Sequence, residues 1–165
     1  MSKSICNFVG QLSQIKLLSL DVDGVLTDGG IYYSDDGKSF RKFNAKDGLG
    51  ISRLLNNGIE IAIISAGASG AIQYRAQRLN IKYVYTDVID KLAVLKDLCK
   101  TLNIEISHVA HIGDDLNDIE VFKEVGLSIT VSDAVGSVLS SADIITQRKG
   151  GEGAVREVCD AMLKN

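Results

Sequence analysis

Short apolar runs alternate with longer amphipathic segments along almost the whole chain, and this alternation limits the possible folds more than any other feature. The apolar runs predict β-strands at residues 17–22, 60–65, 83–86, 108–112, 127–131 and 143–146. The amphipathic segments predict helices at residues 5–12, 48–56, 69–79, 90–102, 116–124 and 154–163. Because strands that are apolar throughout are buried on both faces, we predict an α/β fold, a Rossmann-like doubly wound parallel sheet with helices on both faces.

One segment interrupts this alternation. The stretch "IYYSDDGKSFRKF" places two short polar–apolar runs on either side of the turn "SDDG". This pattern predicts a projecting β-hairpin, inserted at about residues 30–44. The length of 165 residues favours one domain, residues 1–165, with a C-terminal tail at about residues 148–165.

The composition argues against several classes of partner and location. A net charge of −3 without a block of Lys or Arg argues against binding to nucleic acid or to an anionic membrane. No apolar run reaches the length of a membrane span, and the first residues do not read as a signal peptide. The cysteines are odd in number and lie far apart, which predicts reduced thiols in the cytoplasm.

Several polar side chains follow the ends of three predicted strands. They are Asp21, Asp23, Ser65, Asp114, Asp115 and Asp118. Because ligands of open parallel sheets bind outside the carboxyl ends of the strands, we expect these side chains to converge at one edge. Any one acid alone is equally well explained as a turn or cap residue, as Asp115 illustrates. Together they repel one another unless a cation compensates, and Mg²⁺ is the cation that such oxygen ligands favour.

Lys91 lies in the first turn of the predicted helix at residues 90–102, where a cation opposes the helix dipole. In isolation a solvated surface lysine is the commoner explanation. The functional interpretation is a cation that binds a phosphate or compensates a nucleophilic carboxylate. Ser65, beside the turn "SAGASG", adds a hydroxyl and backbone N–H donors for the same phosphate. Metal, carboxylates, lysine and hydroxyl together predict phosphoryl transfer.

The stretch "DVDGVLTDG" resembles the first motif of the haloacid dehalogenase superfamily of phosphatases. Ser65, Lys91 and "GDDLND" (residues 113–118) lie where that superfamily has its second, third and fourth motifs. The hairpin "GGIYYSDDGKSFRKFNAKDGLGI" and the tail "GGEGAVREV" are similar to one family within it, the 3-deoxy-D-manno-octulosonate 8-phosphate phosphatases. Members of that family are short and have no separate cap domain, and the resemblance covers nearly the whole chain.

The resemblance implies a role for each acid. Asp21 would be the nucleophile that attacks phosphorus, and Asp23 would protonate the leaving sugar oxygen and then activate water. Mg²⁺ would be bound by Asp21, the backbone carbonyl of Asp23, and Asp114. Asp115 and Asp118 would orient the ligands of the metal. Because Asp21 and Asp23 are two residues apart on a strand, they would share a face, so that one attacks while the other handles the proton.

The resemblance also implies how the substrate is held. Ser65 and Lys91 would bind the transferring phosphoryl group. The residues implied to contact the rest of the substrate are Asn44, Asp47, Gly48 and Arg75. For Asn44 and Asp47, helix capping is almost as good an explanation.

Two positions depart from the family pattern, because Gly67 and Ser52 stand where arginines are usual. Each lost arginine removes a bidentate partner for a carboxylate or phosphate. The predicted function is Mg²⁺-dependent hydrolysis of 3-deoxy-D-manno-octulosonate 8-phosphate through an aspartyl-phosphate, as a step of lipopolysaccharide precursor synthesis. The alternative substrate is a nine-carbon keto acid 9-phosphate of the KDN or sialic-acid type.

The family closes its sites by forming homotetramers in which the hairpins meet at the centre. The aromatic residues suited to that contact are Tyr32, Tyr33, Phe40 and Phe43. The alternative is that these side chains pack on their own domain. The glycines of the tail "RKGGEGAVREV" suggest a mobile segment that folds over a site.

Other classes of function fit less well. A signalling receiver domain carries its phosphoacceptor two strands after the acid pair, whereas "DVDG" holds both together. A non-enzymatic assembly domain would not need every catalytic position filled. A dinucleotide-binding protein would have GxGxxG after the first strand. His108 and His111 are interpreted as structural, because no Cys or His partners accompany them.

Overall fold

The computed structural model describes residues 3–164, which contain a parallel sheet and a separate hairpin. In chain order the strands are β1 (Leu17–Leu20), β2 (Tyr32–Tyr33), β3 (Ser39–Phe40), β4 (Glu60–Ile64), β5 (Tyr83–Tyr85), β6 (Val109–Gly113), β7 (Leu127–Thr130) and β8 (Ile144–Ile145). All except β2 and β3 form one parallel sheet in the order β5–β4–β1–β6–β7–β8. This sheet confirms the predicted doubly wound α/β fold.

Helices connect the strands of the sheet. They are α1 (Val9–Leu12), α2 (Ala45–Asn56), α3 (Gly70–Arg78), α4 (Lys91–Leu102), α5 (Ile119–Phe122), α6 (Gly136–Ser141) and α7 (Ala154–Met162). Short 3-10 helices precede α1 and α5, at Ile5–Phe8 and Leu116–Asp118. The sequence pattern does not predict α6, because this helix buries only Val138. No helix in the described part of the chain is long and apolar enough to cross a bilayer.

The sheet separates two layers of helices. Successive residues of a strand point to opposite faces, so Leu18 packs in the core beneath α2 and α7 while Leu17 packs in the core beneath α4. Neither leucine has exposed surface. Burial of each such side chain contributes about 1.5–3 kcal/mol. The central strand β1 is therefore held from both sides, and the loop that follows it starts from a fixed point.

The hairpin of β2 and β3 projects from this body, as predicted. Tyr32 pairs with Phe40 in the antiparallel ladder. Gly37 closes the turn with a φ of +82°, a left-handed conformation that glycine adopts without a steric penalty. Tyr32, Tyr33 and Phe40 all remain exposed. The aromatic side chains of the two strands thus have little contact with their own domain.

The glycine-rich segment before α7 packs against the rest of the domain in this structure, whereas its composition suggested a mobile tail. Gly150 and Gly151 are buried against the loop that follows β1. The backbone N–H of Gly151 donates to the carbonyl of Val25 at 3.0 Å. A Cβ built on Gly150 would lie 1.7 Å from the carbonyl oxygen of Gly24. These glycines therefore allow two backbones to touch.

We predict that Gly150→Ala lowers the free energy of unfolding by about 1–3 kcal/mol, because the added methyl group collides with backbone that cannot rotate away. Urea denaturation followed by circular dichroism measures the change. The matched control is Gly136→Ala, because a Cβ there meets nothing within 4 Å. Equal stability of the Gly150 variant and the wild type would show that the two loops can separate without cost.

Candidate active site

The loops after β1, β4 and β6 meet at the carboxyl edge of the sheet, as the sequence predicts. Asp21 follows β1, Ser65 follows β4 and Asp114 follows β6, and all three line one cavity of about 140 Å³. The backbone N–H of Asp21 continues the ladder by donating to Ile112 at 3.0 Å. Its carboxylate accepts a hydrogen bond of 2.7 Å from the N–H of Val22. The end of β1 thus fixes the orientation of the Asp21 carboxylate.

Lys91 is buried beneath this cavity and bridges two acids. Its Nζ lies 3.0 Å from Oδ2 of Asp21 and 2.7 Å from Oδ1 of Asp118. Burial alone would lower the pKa of Lys91, but the charges of the two carboxylates outweigh it and raise the pKa. Asp90 caps α4 by accepting from the N–H of Ala93 at 2.9 Å, which places Lys91 at the first helical residue. With 2% of its surface exposed, Lys91 is not a solvated surface lysine.

Asp118 is the most completely bonded acid of the group. Oδ1 of Asp118 lies 2.9 Å from Nε2 of His111 as well as 2.7 Å from Lys91. Oδ2 of Asp118 accepts from the N–H groups of Asp114 and Asp115 at 3.1 and 3.4 Å. Burial works against ionisation, but the hydrogen bond and charge from His111, together with Lys91, lower the pKa of Asp118 to about 2. Asp118 therefore stays charged and fixes the start of the loop after β6.

His111 contributes to this site, although the sequence suggested only a structural residue. Its Nδ1 lies 3.0 Å from Oγ of Ser19 on the neighbouring strand, and both side chains are buried. A ring N–H at Nε2 of His111 donates to the carboxylate of Asp118, while Nδ1 is held by the hydroxyl of Ser19. Ser19 is a polar residue within the apolar run of β1, and it stands in register with His111. This serine is the sequence signal that could have revealed the contact, once the strand order was known.

The carboxylates of Asp21, Asp114 and Asp118 offer oxygens that lie within 4.8 Å of one another. Oδ1 of Asp114 is buried and has no hydrogen-bond partner. Burial and the nearby Asp21 charge raise the pKa of Asp114 to about 7, and burial raises the pKa of Asp21 to about 6. Three carboxylates and the Lys91 ammonium leave two negative charges. A divalent, oxygen-seeking cation such as Mg²⁺ fits both the charge and the unpaired oxygen.

Two glycines let these acids approach. A Cβ on Gly24 would lie 2.0 Å from Oδ2 of Asp114, and a Cβ on Gly113 would lie 2.2 Å from Cγ of Asp118. Gly24 also has a φ of +87°, which disfavours other residues. The close approach of these acids therefore depends on glycine both in the loop after β1 and at the end of β6.

Ser65 and the following turn form the opposite wall of the cavity. Oγ of Ser65 accepts from the N–H of Gly67 at 3.1 Å, and Ser65 is almost fully buried. Asp115 also lines the cavity while its carboxylate accepts from the N–H of Leu116 at 2.7 Å. Asp115 is thus both a helix cap and a residue of the site, and the two interpretations of this acid are compatible.

Asp23 faces a partner that the sequence does not reveal. Nε of Arg41 lies 2.6 Å from Oδ1 of Asp23, and Nη2 of Arg41 donates to Oδ2 at 3.0 Å. Arg41 lies directly after β3, so this ion pair joins the hairpin to the loop after β1. No spacing rule links residues 23 and 41, because the irregular backbone between them decides where each side chain points.

Asn44 and Arg75, two of the residues expected to contact substrate, lie outside the lining of this cavity. Asn44 caps α2, since its Oδ1 accepts from the N–H of Lys46 at 2.9 Å, and α2 therefore begins earlier than predicted. Its Nδ2 donates to the carbonyl of Gly151 at 3.0 Å. Nη2 of Arg75 donates to the carbonyl of Asn44 at 2.9 Å, and its guanidinium lies over the ring of Phe43.

Asp47 and Gly48, the other two, are buried in α2 where it meets its neighbours. Oδ1 of Asp47 accepts from the N–H of Arg156 at 2.7 Å, so this acid caps the start of α7 and not its own helix. A Cβ on Gly48 would lie 2.4 Å from Nη2 of Arg75, so the guanidinium occupies the space beside this glycine. All four residues hold the base of the hairpin against α3 and α7, and direct contact with substrate stays a prediction.

Comparison with known proteins agrees with this geometry. The sequence profile of the haloacid dehalogenase-like hydrolases matches residues 80–158. The 3-deoxy-D-manno-octulosonate 8-phosphate phosphatase KdsC of Escherichia coli (strain K12) is 43% identical over 155 residues, which cover 94% of this chain and 82% of the relative. The chain belongs to the KdsC family of haloacid dehalogenase-like hydrolases. The resemblance noted from the sequence motifs is thereby confirmed.

Solved structures of KdsC proteins share the fold. The phosphatase from Yersinia pestis superposes with a TM-score of 0.93 at 42% identity, over 95% of this chain and 85% of that chain. The phosphatase from Moraxella catarrhalis, solved with magnesium, phosphate and a KDO molecule, gives 0.93 at 41% identity, over 96% and 91%. This chain thus shares its fold with these phosphatases. The fold brings together the polar residues of the site, which are Asp21, Ser65, Lys91, Asp114 and Asp118.

We predict that Mg²⁺ raises the melting temperature of this KdsC-family chain more at about pH 8 than at about pH 5.5. Asp21 and Asp114 have raised pKa values of about 6 and about 7, so the folded metal-free chain binds protons more tightly than the unfolded chain, and its stability falls as pH rises from about 4 to about 7. Asp118, with a pKa of about 2, contributes stability that is lost only below about pH 4. Differential scanning fluorimetry with Mg²⁺ or chelator measures both effects.

The control for this measurement is Asp114→Asn, which keeps the size of the side chain and removes the unpaired acidic oxygen. Its melting temperature should not respond to Mg²⁺ at either pH. An equal response of the wild type at both pH values would mean that these two carboxyls do not bind the ion.

Proposed function

We propose that this chain is a Mg²⁺-dependent phosphatase that hydrolyses 3-deoxy-D-manno-octulosonate 8-phosphate. The observation that carries the proposal is the Asp21 carboxylate, held between the Lys91 ammonium and the unpaired oxygen of Asp114 in an open cavity. The KDO, phosphate and magnesium in the Moraxella catarrhalis structure support the choice of substrate and metal. The reaction would serve lipopolysaccharide precursor synthesis in the cytoplasm, and the free cysteines of the chain agree with that location.

In the first step, a carboxylate oxygen of Asp21 bonds to phosphorus while the bond between phosphorus and the sugar oxygen breaks. Asp23 transfers its proton to that leaving oxygen, and the sugar departs as an alcohol. Lys91 remains beside the new aspartyl-phosphate and compensates its charge. Since the attacking and leaving oxygens of an in-line displacement lie on opposite sides of phosphorus, Asp21 would act on one side and Asp23 on the other.

In the second step, Asp23 accepts a proton from water as the water oxygen bonds to phosphorus. The bond between phosphorus and Asp21 breaks, which releases inorganic phosphate and restores the Asp21 carboxylate. Ser65 and the N–H groups of its turn provide donors for the phosphoryl oxygens. Mg²⁺ on Asp21 and Asp114 would neutralise charge on the phosphoryl group in both steps.

We further propose that the chain works as a homotetramer whose hairpins meet. Tyr33 is 71% exposed, Tyr32 59% and Phe40 55%, all on one two-stranded hairpin. An isolated hairpin of this size is marginally stable, so contact with other copies would stabilise it. The cavity around Asp21 is open, and a neighbouring hairpin would shield it from water.

A colorimetric phosphate-release assay with and without chelator tests the function. We expect Mg²⁺-dependent release from 3-deoxy-D-manno-octulosonate 8-phosphate, and a loss of more than about a thousandfold in Asp21→Asn, which keeps the fold but has no nucleophile. A nine-carbon keto acid 9-phosphate is the competing substrate, because Gly67 stands where the family usually has arginine. Higher kcat/KM for the nine-carbon ester would overturn the eight-carbon assignment and keep the chemistry.

Sedimentation equilibrium tests the assembly. We expect the wild type at four times its chain mass of 17.7 kDa, and a shift toward monomer in Tyr33→Ser combined with Phe40→Ser, because these changes remove apolar contact area. Tyr74→Ser is the matched control, since Tyr74 is 65% exposed on α3 and distant in sequence from the hairpin. A wild type that sediments as a monomer would disprove the tetramer.

A further inference from the structure

Arg41 forms an ion pair with Asp23, the acid whose carboxyl group has to be free for proton transfer in the proposed mechanism. Each carboxylate oxygen of Asp23 accepts one hydrogen bond from the two-pronged guanidinium of Arg41, at 2.6 and 3.0 Å. Nη1 of Arg41 also donates to Oγ of Ser39 at 3.4 Å, which ties the same guanidinium to β3. Asp23 has to meet the leaving oxygen of the substrate, so the guanidinium has to yield at least one of these positions during turnover.

The space for this guanidinium exists because residue 67 has no side chain. A Cβ on Gly67 would lie 2.8 Å from Oδ2 of Asp23 and 3.3 Å from Nη2 of Arg41. Gly67 lines the cavity beside Ser65. Arg41 therefore reaches from the hairpin to the wall of the active site. A larger residue at position 67 would exclude its guanidinium from Asp23.

Burial decides what can draw Arg41 away from Asp23. The Arg41 side chain is 5% exposed, so little water reaches its guanidinium while it is paired with Asp23. A buried guanidinium leaves one carboxylate readily only for another anion that offers the same two-oxygen geometry. The hydrogen bonds to Asp23 raise the pKa of Arg41, so it stays charged throughout.

The position of Arg41 indicates which substrate anion this is. In the proposed function Lys91 and Ser65 serve the phosphoryl group, and Lys91 is already paired with Asp21 and Asp118. Arg41 lies on the side of Asp23, the residue that handles the leaving group. The anion that it meets is therefore carried by the leaving group and not by the phosphate.

We propose that Arg41 is a specificity residue that rests on the Asp23 carboxylate and moves to the carboxylate of the sugar acid when substrate binds. This movement frees Asp23 to take up a proton from solvent and pass it to the leaving oxygen. This inference rests on the proposed function, because it takes the leaving group to be a sugar acid. An ester without a carboxylate has nothing to exchange for Asp23, so it is hydrolysed slowly even where its phosphate fits.

The test compares 3-deoxy-D-manno-octulosonate 8-phosphate with the same ester in which the carboxylate is reduced to an alcohol, and with phenyl phosphate. Arg41→Met keeps an apolar stem of similar length and removes the fork. We expect kcat/KM for the acid to fall about 10- to 100-fold, while kcat/KM for the alcohol and for phenyl phosphate rises. Arg41→Lys, which keeps the charge without the fork, should lie between Arg41→Met and the wild type for the acid.

Lys42→Met is the matched control, because Lys42 is the exposed neighbour whose ammonium pairs with Asp28. It should leave all three values unchanged, and melting temperatures confirm that each variant is folded. Equal losses for the acid and the alcohol in Arg41→Met would overturn the exchange and leave Arg41 as a support for Asp23.

Phenyl phosphate separates this inference from the proposed function. A wild type that hydrolyses phenyl phosphate but neither sugar ester would disprove the eight-carbon assignment. In that case Arg41→Met should still hydrolyse phenyl phosphate faster than the wild type. An unchanged or lower rate would show that Arg41 does not restrain Asp23.

Discussion

The rest of the site depends on the buried ion pairs that the Lys91 ammonium forms with two carboxylates. A lysine with almost no exposed surface is costly unless its charge is compensated, and Asp21 and Asp118 supply that compensation at 3.0 and 2.7 Å. These acids come from the loops after β1 and β6, while Lys91 starts α4. Loss of either acid would leave the Lys91 ammonium with a single carboxylate partner, so the position of each element constrains the others.

Chemically identical carboxyls differ here because their surroundings differ. The carboxylate of Asp118 accepts hydrogen bonds from two backbone N–H groups, and it also contacts His111 and Lys91, which lower its pKa. Asp114 receives no donor at Oδ1, and its pKa is raised by burial and neighbouring acids. Asp118 thus stays ionised and organises the loop after β6, while Asp114 offers an unpaired oxygen of the kind that divalent cations favour.

The fold and the main acids of the site could be predicted from sequence because both follow local rules. Apolar runs identify strands, and parallel strands bring Asp21, Ser65 and Asp114 to one edge. The pair of Arg41 with Asp23 could not be predicted, since it depends on the path of an irregular segment. Asp47 illustrates the same limit, because the helix that it caps begins more than a hundred residues later.

Composition was misleading for the glycine-rich tail, and the reason is physical. Glycine permits mobility, but it also permits close approach, and local sequence does not distinguish the two. Only the tertiary structure reveals that Gly150 faces the carbonyl of Gly24. The same argument applies to Gly67, whose missing side chain leaves room for Arg41.

The contact between Ser19 and His111 connects the chemistry of the site to the assembly of the sheet. These residues stand opposite each other where β1 pairs with β6. A slip of one residue in that pairing would turn every side chain of the strand to the other face and carry His111 away from Asp118. Asp118 would then lose a donor that stabilises its charge. A sheet with the wrong register between β1 and β6 would thus lack the intact site. Activity of this site therefore reports that the two strands have paired correctly.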